Sequence, residues 1–292
     1  FSTDGYLIQG DGLVLADSTM DATGEINVGG SNAMPASVTA TIASVLSGDV
    51  RLLKTGAGEL VLTGDNSYTG GTDIAEGALT IGDGGTSGSV DGDIAIATDA
   101  SLGFNRSDDV SFGGTLSGLG NFQQKGAGKL TLTADNSGFT GKTTVASGVL
   151  NLQGNIGGSV SVSANASLTA DDAISIGGTL SLADNATVNV SYSDTSVYTS
   201  GLSLSSLSRI NAAYGNGFSD APIFTITGDL VLDGTIALSG APVYGPGVYE
   251  LMSYTGNLTD NTLEATGVNT GNYTYNYAID TSVDNEVDLL VE

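Results

Sequence analysis

The chain has 292 residues, of which 32 are acidic and 7 are basic, so its formal net charge is −25 at pH 7. This charge argues against nucleic acid and anionic membrane surfaces as partners, because both attract clusters of lysine and arginine. The chain has no histidine and no cysteine, which excludes an ordinary Ser-His-Asp triad, a histidine-ligated zinc ion, a thiol nucleophile and disulfides.

The chain begins at Phe1 rather than at a methionine. No signal peptide is visible, and no apolar run approaches the ~20 residues of a membrane-spanning helix. We therefore interpret the sequence as a mature or excised fragment whose targeting and anchoring parts lie outside it. With 44 glycines, 4 prolines and 40% hydrophobic residues, its composition favours a packed core over a proline-rich disordered chain.

The stretch Gly-Ala-Gly-x-Leu-x-Leu-Thr-x-Asp-Asn-Ser occurs twice, at Gly56–Ser67 and at Gly126–Ser137. Each copy continues into an aromatic residue, Thr-Gly-x-Thr and a Gly-x-Leu run, with one residue inserted in the second copy. Similarity resumes downstream, where Gly92–Leu102 matches Gly158–Leu168. A long self-similar unit of this kind predicts a fold of stacked repeats.

Within each block, apolar residues alternate with small or polar ones, as where Leu60 and Leu62 flank Val61. This alternation predicts half-buried strands, and the Gly, Asn, Asp and Ser clusters between them predict turns. A sandwich would not explain why the turns repeat together with the strands. A propeller blade of ~40–50 residues does not fit the shorter, uneven intervals. We therefore predict an all-β solenoid, a parallel β-helix whose stacked coils bury a continuous apolar column.

The chain order suggests β-helix coils over residues 1–227, with repeat modules at about 46–121 and about 122–190. A non-repetitive insertion follows at about 191–221, and residues 228–292 form a predicted C-terminal capping region. We expect specificity for a ligand in the insertion, because loops on a rigid scaffold carry function more often than the scaffold does. The alternative is that the insertion is a decorative loop without a binding role.

Helical periodicity is almost absent. Its one trace is the spacing of Leu204, Leu207 and Ile210 at steps of three within the insertion. This spacing suggests one short helix there, although serine-rich segments are poor helix formers.

The pattern at Gly56–Leu79 closely resembles the passenger-associated repeat of bacterial autotransporters, the proteins of type V secretion. The copy at Gly126–Leu150 departs modestly, with Lys142 in place of the second glycine of the pattern. The tail, with its Gly247–Leu251 and Val287–Val291 segments, is similar to the C-terminal passenger region of pertactin-type proteins.

This resemblance covers most of residues 46–190 and, more loosely, 222–292. It implies a single-stranded right-handed parallel β-helix, secreted or displayed on a Gram-negative cell through the protein's own C-terminal β-barrel, which is absent from this chain. It also implies that the last coils act as a folding nucleus, or autochaperone. A cluster of aromatic residues in the tail fits either a capping or a nucleating role: Tyr244, Tyr249, Tyr254, Tyr273, Tyr275 and Tyr277.

We predict no catalytic residues, no metal site and no cofactor, and the sequence does not identify binding residues. Many β-helix proteins are polysaccharide lyases, which need a basic residue over an acidic groove. Arg106, within Asn105–Asp109, is the only arginine that adjoins paired carboxylates. The alternative reading is a turn with a local ion pair of little energetic weight. A glycosidase pair of carboxylates cannot be nominated among 32 scattered acidic residues.

Two other acidic patterns have turn chemistry as their simplest explanation. Asp83–Gly85 and Asp91–Asp93 match neither the EF-hand spacing nor the nonapeptide array of calcium β-rolls. The repeated triplets Asp65–Ser67 and Asp135–Ser137 resemble a ligand-binding signature. Their fixed place in the module instead favours a structural role, because Asx side chains bond the backbone in turns.

The leading hypothesis is an adhesive and structural rod that binds a receptor on a host or bacterial surface, or binds itself. Self-association would have to overcome repulsion between two chains of charge −25. The first alternative is a stem and folding nucleus for a longer passenger whose binding residues lie elsewhere. The second is a carbohydrate-active enzyme with a groove near Arg106 or Arg209.

Overall fold

The computed structural model describes residues 1, 3–16, 23–29, 38–171, 173–192, 196–214, 221–240, 246–267 and 276–292. Every regular element within these residues is a β-strand. Accordingly, this part of the chain contains no helix that is long and apolar enough to cross a membrane. The chain forms two compact units, residues 1–149 and 150–292.

The first unit is built from short strands joined by glycine-rich turns. Its strands are β1 (Tyr6–Ile8), β2 (Leu13–Val14), β3 (Thr23–Asn27), β4 (Thr39–Ile42), β5 (Leu46–Ser47), β6 (Arg51–Thr55), β7 (Glu59–Leu62), β8 (Thr72–Ile74), β9 (Ala78–Ile81), β10 (Ile94–Ile96), β11 (Ser101–Phe104), β12 (Val110–Phe112), β13 (Leu116–Gly118), β14 (Asn121–Gln124), β15 (Lys129–Leu132) and β16 (Lys142–Val145).

Strands that are close in sequence lie in different sheets of this unit, which is the pattern of a coiling chain. The main sheet has the order β1-β4-β7-β9-β11-β14-β16, a second sheet β3-β6-β8-β10-β13, and a third contains β12 and β15. All of these pairings are parallel. The predicted parallel β-helix is therefore confirmed.

The core of the first unit is a column of stacked side chains. The alternation read from the sequence sends every second residue of a strand inward, and the parallel register places inward residues of neighbouring coils in contact. One column in the main sheet is fully buried and consists of Ala40, Leu60, Leu79, Leu102 and Phe122.

The two copies of the repeated motif lie in different sheets. The first copy contains β7, which pairs with β4 and β9 in the main sheet. The second contains β15, which pairs with β12 in the third sheet. The residue that stacks in line with Leu60 three coils later in the main sheet is Phe122. The motif equivalent of Leu60 is instead Leu130, which comes later in the chain and lies in the third sheet. The distance between copies is thus not a whole number of coils, and the motif specifies a local turn rather than one face.

The second unit has longer strands. They begin with β17 (Val149–Leu152), which starts at the unit boundary, and continue as β18 (Val160–Val162), β19 (Ser167–Asp171), β20 (Ser175–Leu182), β21 (Thr187–Tyr192), β22 (Val197–Ser203), β23 (Arg209–Tyr214), β24 (Phe224–Ile226), β25 (Leu230–Leu232), β26 (Thr235–Gly240), β27 (Gly247–Tyr254), β28 (Leu258–Asp260), β29 (Glu264–Gly267), β30 (Tyr277–Asp280) and β31 (Glu286–Val291).

Two parallel ladders run through the second unit. One has the order β18-β20-β22-β24-β27, with β25 and β28 beside it, and the other has the order β19-β21-β23-β26-β29. The second ladder buries Val188, Ile210 and Ile236 in register. At the last strand the direction changes, because β31 pairs antiparallel with β27 on one side and β30 on the other.

The short helix suggested by Leu204, Leu207 and Ile210 is wrong. Ile210 lies in β23, which stacks in parallel between β21 and β26. Leu204 is buried and Leu207 is 60% exposed in the connection that precedes β23. Ladder pairing on both sides of β23 outweighs a weak three-residue spacing in a serine-rich segment.

The predicted division into modules, insertion and capping region stays a prediction. Strands β22 and β23 fall within the stretch that the sequence suggested as an insertion. Of the tail tyrosines, Tyr244, Tyr273 and Tyr275 lie outside the described residues, and Tyr254 is buried.

Candidate functional site

The repeated Asp-Asn-Ser triplets are structural elements, as their fixed place in the module predicted. Asn66 is buried, its Oδ1 accepts the N–H of Leu46 at 2.8 Å, and its Nδ2 donates to the carbonyl of Ser89 at 2.9 Å. Asn136 is equally buried and accepts the N–H of Leu116 at 2.7 Å. Because both side chains serve the backbone of neighbouring coils, they are not open to a ligand.

Arg106 holds a turn together through hydrogen bonds. Its Nε and Nη2 bind the two carboxylate oxygens of Asp108 at 2.9 and 2.8 Å, and its Nη atoms also donate to the carbonyls of Thr86 and Gly88. The hydrogen bond to Asp108 raises the pKa of Arg106. The Arg106 side chain is only 12% exposed, and all three of its nitrogens donate hydrogen bonds, so it is a fixed cation that holds the loop.

The aspartate turns also serve the backbone. Asp83 accepts the N–H of Gly85 at 3.2 Å, and Asp93 accepts the N–H of Thr115 at 2.8 Å. The bond from Thr115 lowers the pKa of Asp93. Across the described ranges, no group of three or more acidic residues is arranged to hold a metal ion.

Arg209 differs from the other two arginines. Arg51 pairs with Asp73 at 2.6 Å, and Arg106 pairs with Asp108. Arg209 is exposed, and its Nε donates to Oδ1 of Asn211 at 2.6 Å. No carboxylate of the described chain lies within ion-pair distance of it.

Arg209 borders an open depression of about 480 Å³ on the outer face of β21, β23, β26 and β29, within the second unit. We call this depression the Arg209 groove. It is lined by Asn189, Val190, Ser191, Arg209, Asn211, Ala213, Ala237, Leu238, Ser239, Thr266 and Gly267.

Strand register builds the groove row by row. One outward row places Asn189, Asn211, Ala237 and Thr266 side by side, and the next places Ser191, Ala213 and Ser239 side by side. The small side chains of Ala213 and Ala237 leave the depression between larger polar neighbours. Inward residues such as Ile210 and Ile236 fix the strands from below.

A directed chain of hydrogen bonds crosses the groove wall. Arg209 donates to Oδ1 of Asn211, and Nδ2 of Asn211 donates to Oδ1 of Asn189 at 2.8 Å. This arrangement fixes the orientation of the guanidinium and of both amides. It leaves the terminal Nη groups of Arg209 and Nδ2 of Asn189 as donors with no acceptor in the described part of the chain.

Sequence reasoning named Arg209 as one possible edge of a groove but missed its asparagine partners. A signal existed, because Thr187–Tyr192 and Arg209–Tyr214 share asparagine at the third position and tyrosine at the sixth. Reading these two segments as neighbouring strands would have placed Asn189 beside Asn211.

A second polar feature of this unit is a row of carboxylates across the antiparallel strands. Glu250 lies opposite Asp288 on one side, and Asp280 lies opposite it on the other. Burial, reinforced by Glu286 and Asp280, raises the pKa of Asp288. Burial, reinforced by Glu286 and Asp288, also raises the pKa of Glu250. The row therefore disfavours full ionisation.

Comparison with known proteins gives two matches. Residues 52–81 and 122–152 match the family model described as Passenger-associated-transport-repeat. Over 191 residues the chain is 38% identical to the Adhesin BmaC autotransporter of Brucella suis biovar 1 (strain 1330). The chain therefore carries two stretches of this repeat and is similar to part of an autotransporter adhesin. The alignment covers 58% of this chain and 5% of the length of the relative. No solved structure matches the chain.

The family match covers both copies of the motif and therefore includes Asn66 and Asn136. Each asparagine lies in the connection between two strands of its copy. The Arg209 groove lies outside the two matched ranges. In this chain the matched repeats thus belong to the scaffold, and the groove belongs to coils outside the matched ranges.

Proposed function

We propose that this chain is a segment of an autotransporter passenger and serves as an adhesive and structural β-helix, acting on the surface of a Gram-negative bacterium or after secretion from it. The observation that carries the proposal is its 38% identity, over 191 residues, to a protein named as an autotransporter adhesin. Because the segment spans 5% of that relative's length, its own share in adhesion has to be tested on the segment itself.

The physical support is the outward surface of the coils. The outer rows of the second unit carry asparagine, serine and threonine at regular spacing, as in the rows of Asn189 and Ser191. Such surfaces hold a partner through many weak hydrogen bonds. The partner proposed is a receptor on a host or bacterial surface, or a second copy of the segment.

We propose no enzymatic role. Arg106, the arginine that a lyase would most need, is engaged by Asp108 and two backbone carbonyls. The relative is named an adhesin, and the aspartate turns are occupied by backbone N–H groups.

Adhesion is tested with beads coated with the purified segment and applied to host-cell monolayers and to bacteria. We expect saturable attachment that the soluble segment competes away, against albumin-coated beads as the control. Attachment no better than albumin, from a segment whose circular dichroism shows a folded β-protein, would contradict adhesion. That result would favour the stem and folding-nucleus role.

Self-association is tested by sedimentation velocity across salt and pH. Two copies of charge −25 repel each other, and salt or acid weakens that repulsion. We therefore expect the dimer fraction to rise with ionic strength and with falling pH. Dimers that are stable at low salt and neutral pH would contradict this charge-limited association.

A further inference from the structure

We propose that the Arg209 groove binds a saccharide that carries a carboxylate, a uronate-type oligosaccharide. The carboxylate would lie on the terminal nitrogens of Arg209, and the sugar hydroxyls on the amides and hydroxyls along the groove. This inference rests on the proposed function, since it names a ligand class for one part of an adhesive surface.

The first step is the state of Arg209. The segment has 32 acidic residues, yet this guanidinium pairs with none of those described. In its outward row Arg209 has Thr187 on one side and Thr235 on the other, and the nearest acidic residue of the row, Glu264, is two strands away. At strand spacings of ~4.8 Å that places Glu264 about 10 Å along the sheet.

The second step is pre-orientation. Nε of Arg209 donates to Asn211 at 2.6 Å, which restrains the planar guanidinium and leaves its two Nη groups without an acceptor among the described residues. An arginine fork of this kind matches a carboxylate through two parallel hydrogen bonds. Because Asn211 is itself held by Asn189 at 2.8 Å, little side-chain freedom is lost when a ligand binds.

The third step is the rest of the groove. Asn189, Ser191, Ser239 and Thr266 present amide and hydroxyl groups, which both donate and accept hydrogen bonds as sugar hydroxyls do. Ala213, Ala237 and Gly267 add small apolar surface, which suits the C–H face of a sugar ring. A volume of about 480 Å³ falls within the ~300–1,000 Å³ of small-molecule sites.

Charge selects among anionic ligands. A net charge of −25 repels densely charged polyanions, and nucleic acid would need several cations where the groove offers one. A ligand with one carboxylate and many hydroxyls per ring fits one arginine among neutral polar groups. An acidic peptide supplies the carboxylate without the hydroxyls, so it is the competing outcome in the test.

The test is a calorimetric titration of the folded segment with trigalacturonate and with its fully methyl-esterified form. The ester keeps the rings and hydroxyls but removes the charge. We expect the acid to bind with a dissociation constant of about 0.1–1 mM and the ester at least about tenfold more weakly. Equal binding of acid and ester, or no binding of either, would overturn the proposal.

Variants assign the effect to the groove. Arg209→Gln should lower the affinity for the acid to that of the ester and leave the ester unchanged, and Arg209→Lys should fall between. Arg51→Gln is the matched control, because it removes an exposed arginine from the other unit. Acid binding unchanged in Arg209→Gln, or lost equally in Arg51→Gln, would contradict the assignment, as would tri-glutamate binding as tightly as trigalacturonate.

The bead assay keeps this proposal separate from adhesion. Saccharide binding without cell attachment would contradict the adhesive function but leave the groove assignment standing. Attachment by Arg209→Gln beads equal to the parent, with saccharide binding lost, would show that adhesion uses other faces and would support the assignment.

Discussion

Asn136 accepts a hydrogen bond from the backbone N–H of Leu116 in the adjacent coil, at 2.7 Å. Asn66 makes the same bond to Leu46 at 2.8 Å, although the strands that precede the two asparagines lie in different sheets. A buried backbone N–H must find an acceptor, and at this turn the asparagine supplies it. The repeated triplet is therefore a device for joining coils where strand pairing stops.

Replacing Asn136 with leucine, which has a similar size, should destabilise the segment by about 2 kcal/mol, because the N–H of Leu116 would be buried without a partner. Urea unfolding monitored by circular dichroism measures the loss. Ser137→Ala is the control, since Ser137 is the exposed neighbour. Equal midpoints for the two variants would show that the Asn136 bond adds no stability.

The two motif copies also provide a natural comparison at their aromatic residue. Tyr68 is fully buried and its hydroxyl bonds Oγ1 of Thr72 at 2.7 Å, and burial raises the pKa of Tyr68 to about 12. The second copy has Phe139 at this place, and Oγ1 of the corresponding Thr143 is buried with no partner among the described residues.

Phe139→Tyr should therefore stabilise the segment by about 1 kcal/mol, because the new hydroxyl gives Thr143 its missing partner. Tyr68→Phe should destabilise the segment by about the same amount, because it leaves the hydroxyl of Thr72 without its hydrogen-bond partner. Thermal and urea midpoints of the two variants are compared with the parent. Destabilisation by both would mean that the second copy has no room for the hydroxyl.

Much of the fold was predictable from the sequence because its cause is local. Alternation around Leu60 predicts a strand, and the glycine of the Ala-x-Gly-x-Leu run predicts a tight turn. At Gly77 and Gly148 φ is positive, and an added Cβ would meet the backbone of the preceding Gly-Ala-Gly turn in both copies. Both glycines are thus required by backbone geometry within the motif.

The rest was not predictable because it depends on coil length and register. The motif copies lie in different sheets because the distance between them is not a whole number of coils, which no periodicity within the strands reveals. The Arg209 groove depends on β21, β23 and β26 aligning Asn189, Asn211 and Ala237, residues far apart in sequence. The expected helix at Leu207 was wrong for the same reason, since the pairing of β23 was not visible locally.

Buried Lys54 should make the free energy of unfolding depend on pH in the alkaline range. Its ammonium is fully buried and donates to the carbonyls of Thr55, Gly56 and Glu76 at 2.8, 2.7 and 3.1 Å. Burial, partly opposed by the Glu76 carboxylate, lowers the pKa of Lys54 from 10.5 to about 8. The motif equivalent is Gln124, whose Nε2 donates to Gly126 and Gly128, each at 3.0 Å.

The sign follows from the proton count. Below pH 8 both folded and unfolded chains hold the Lys54 proton, and between about pH 8 and 10.5 only the unfolded chain holds it. Stability therefore rises with pH through this window, by about 3 kcal/mol at most. Lys54→Gln should lose this rise, so the stability of the parent relative to the variant should increase with pH through this window. Parallel unfolding profiles of parent and variant from pH 7 to 10.5 would contradict a lowered pKa.

The carboxylate row of the second unit should make the stability of the segment depend on pH in the acidic to neutral range. Asp288 is only 5% exposed and lies between Glu250 and Asp280, with its pKa raised by burial and by Glu286. A raised folded pKa means that the folded chain holds this proton at pH values where the unfolded chain has released it. The resulting stability is present in acid and is lost as pH rises through the folded pKa.

Asp288→Asn should consequently raise the thermal midpoint at pH 7 and have a smaller effect near pH 4, because the folded parent holds more of this proton at the lower pH. Asp284→Asn changes the net charge equally from an exposed position between β30 and β31, so it serves as the control for general repulsion. The measurement is the difference in midpoint between each variant and the parent from pH 4 to 8. A difference for Asp288→Asn that does not grow with pH, or that Asp284→Asn reproduces, would show that the buried row is not the source of the acid stability.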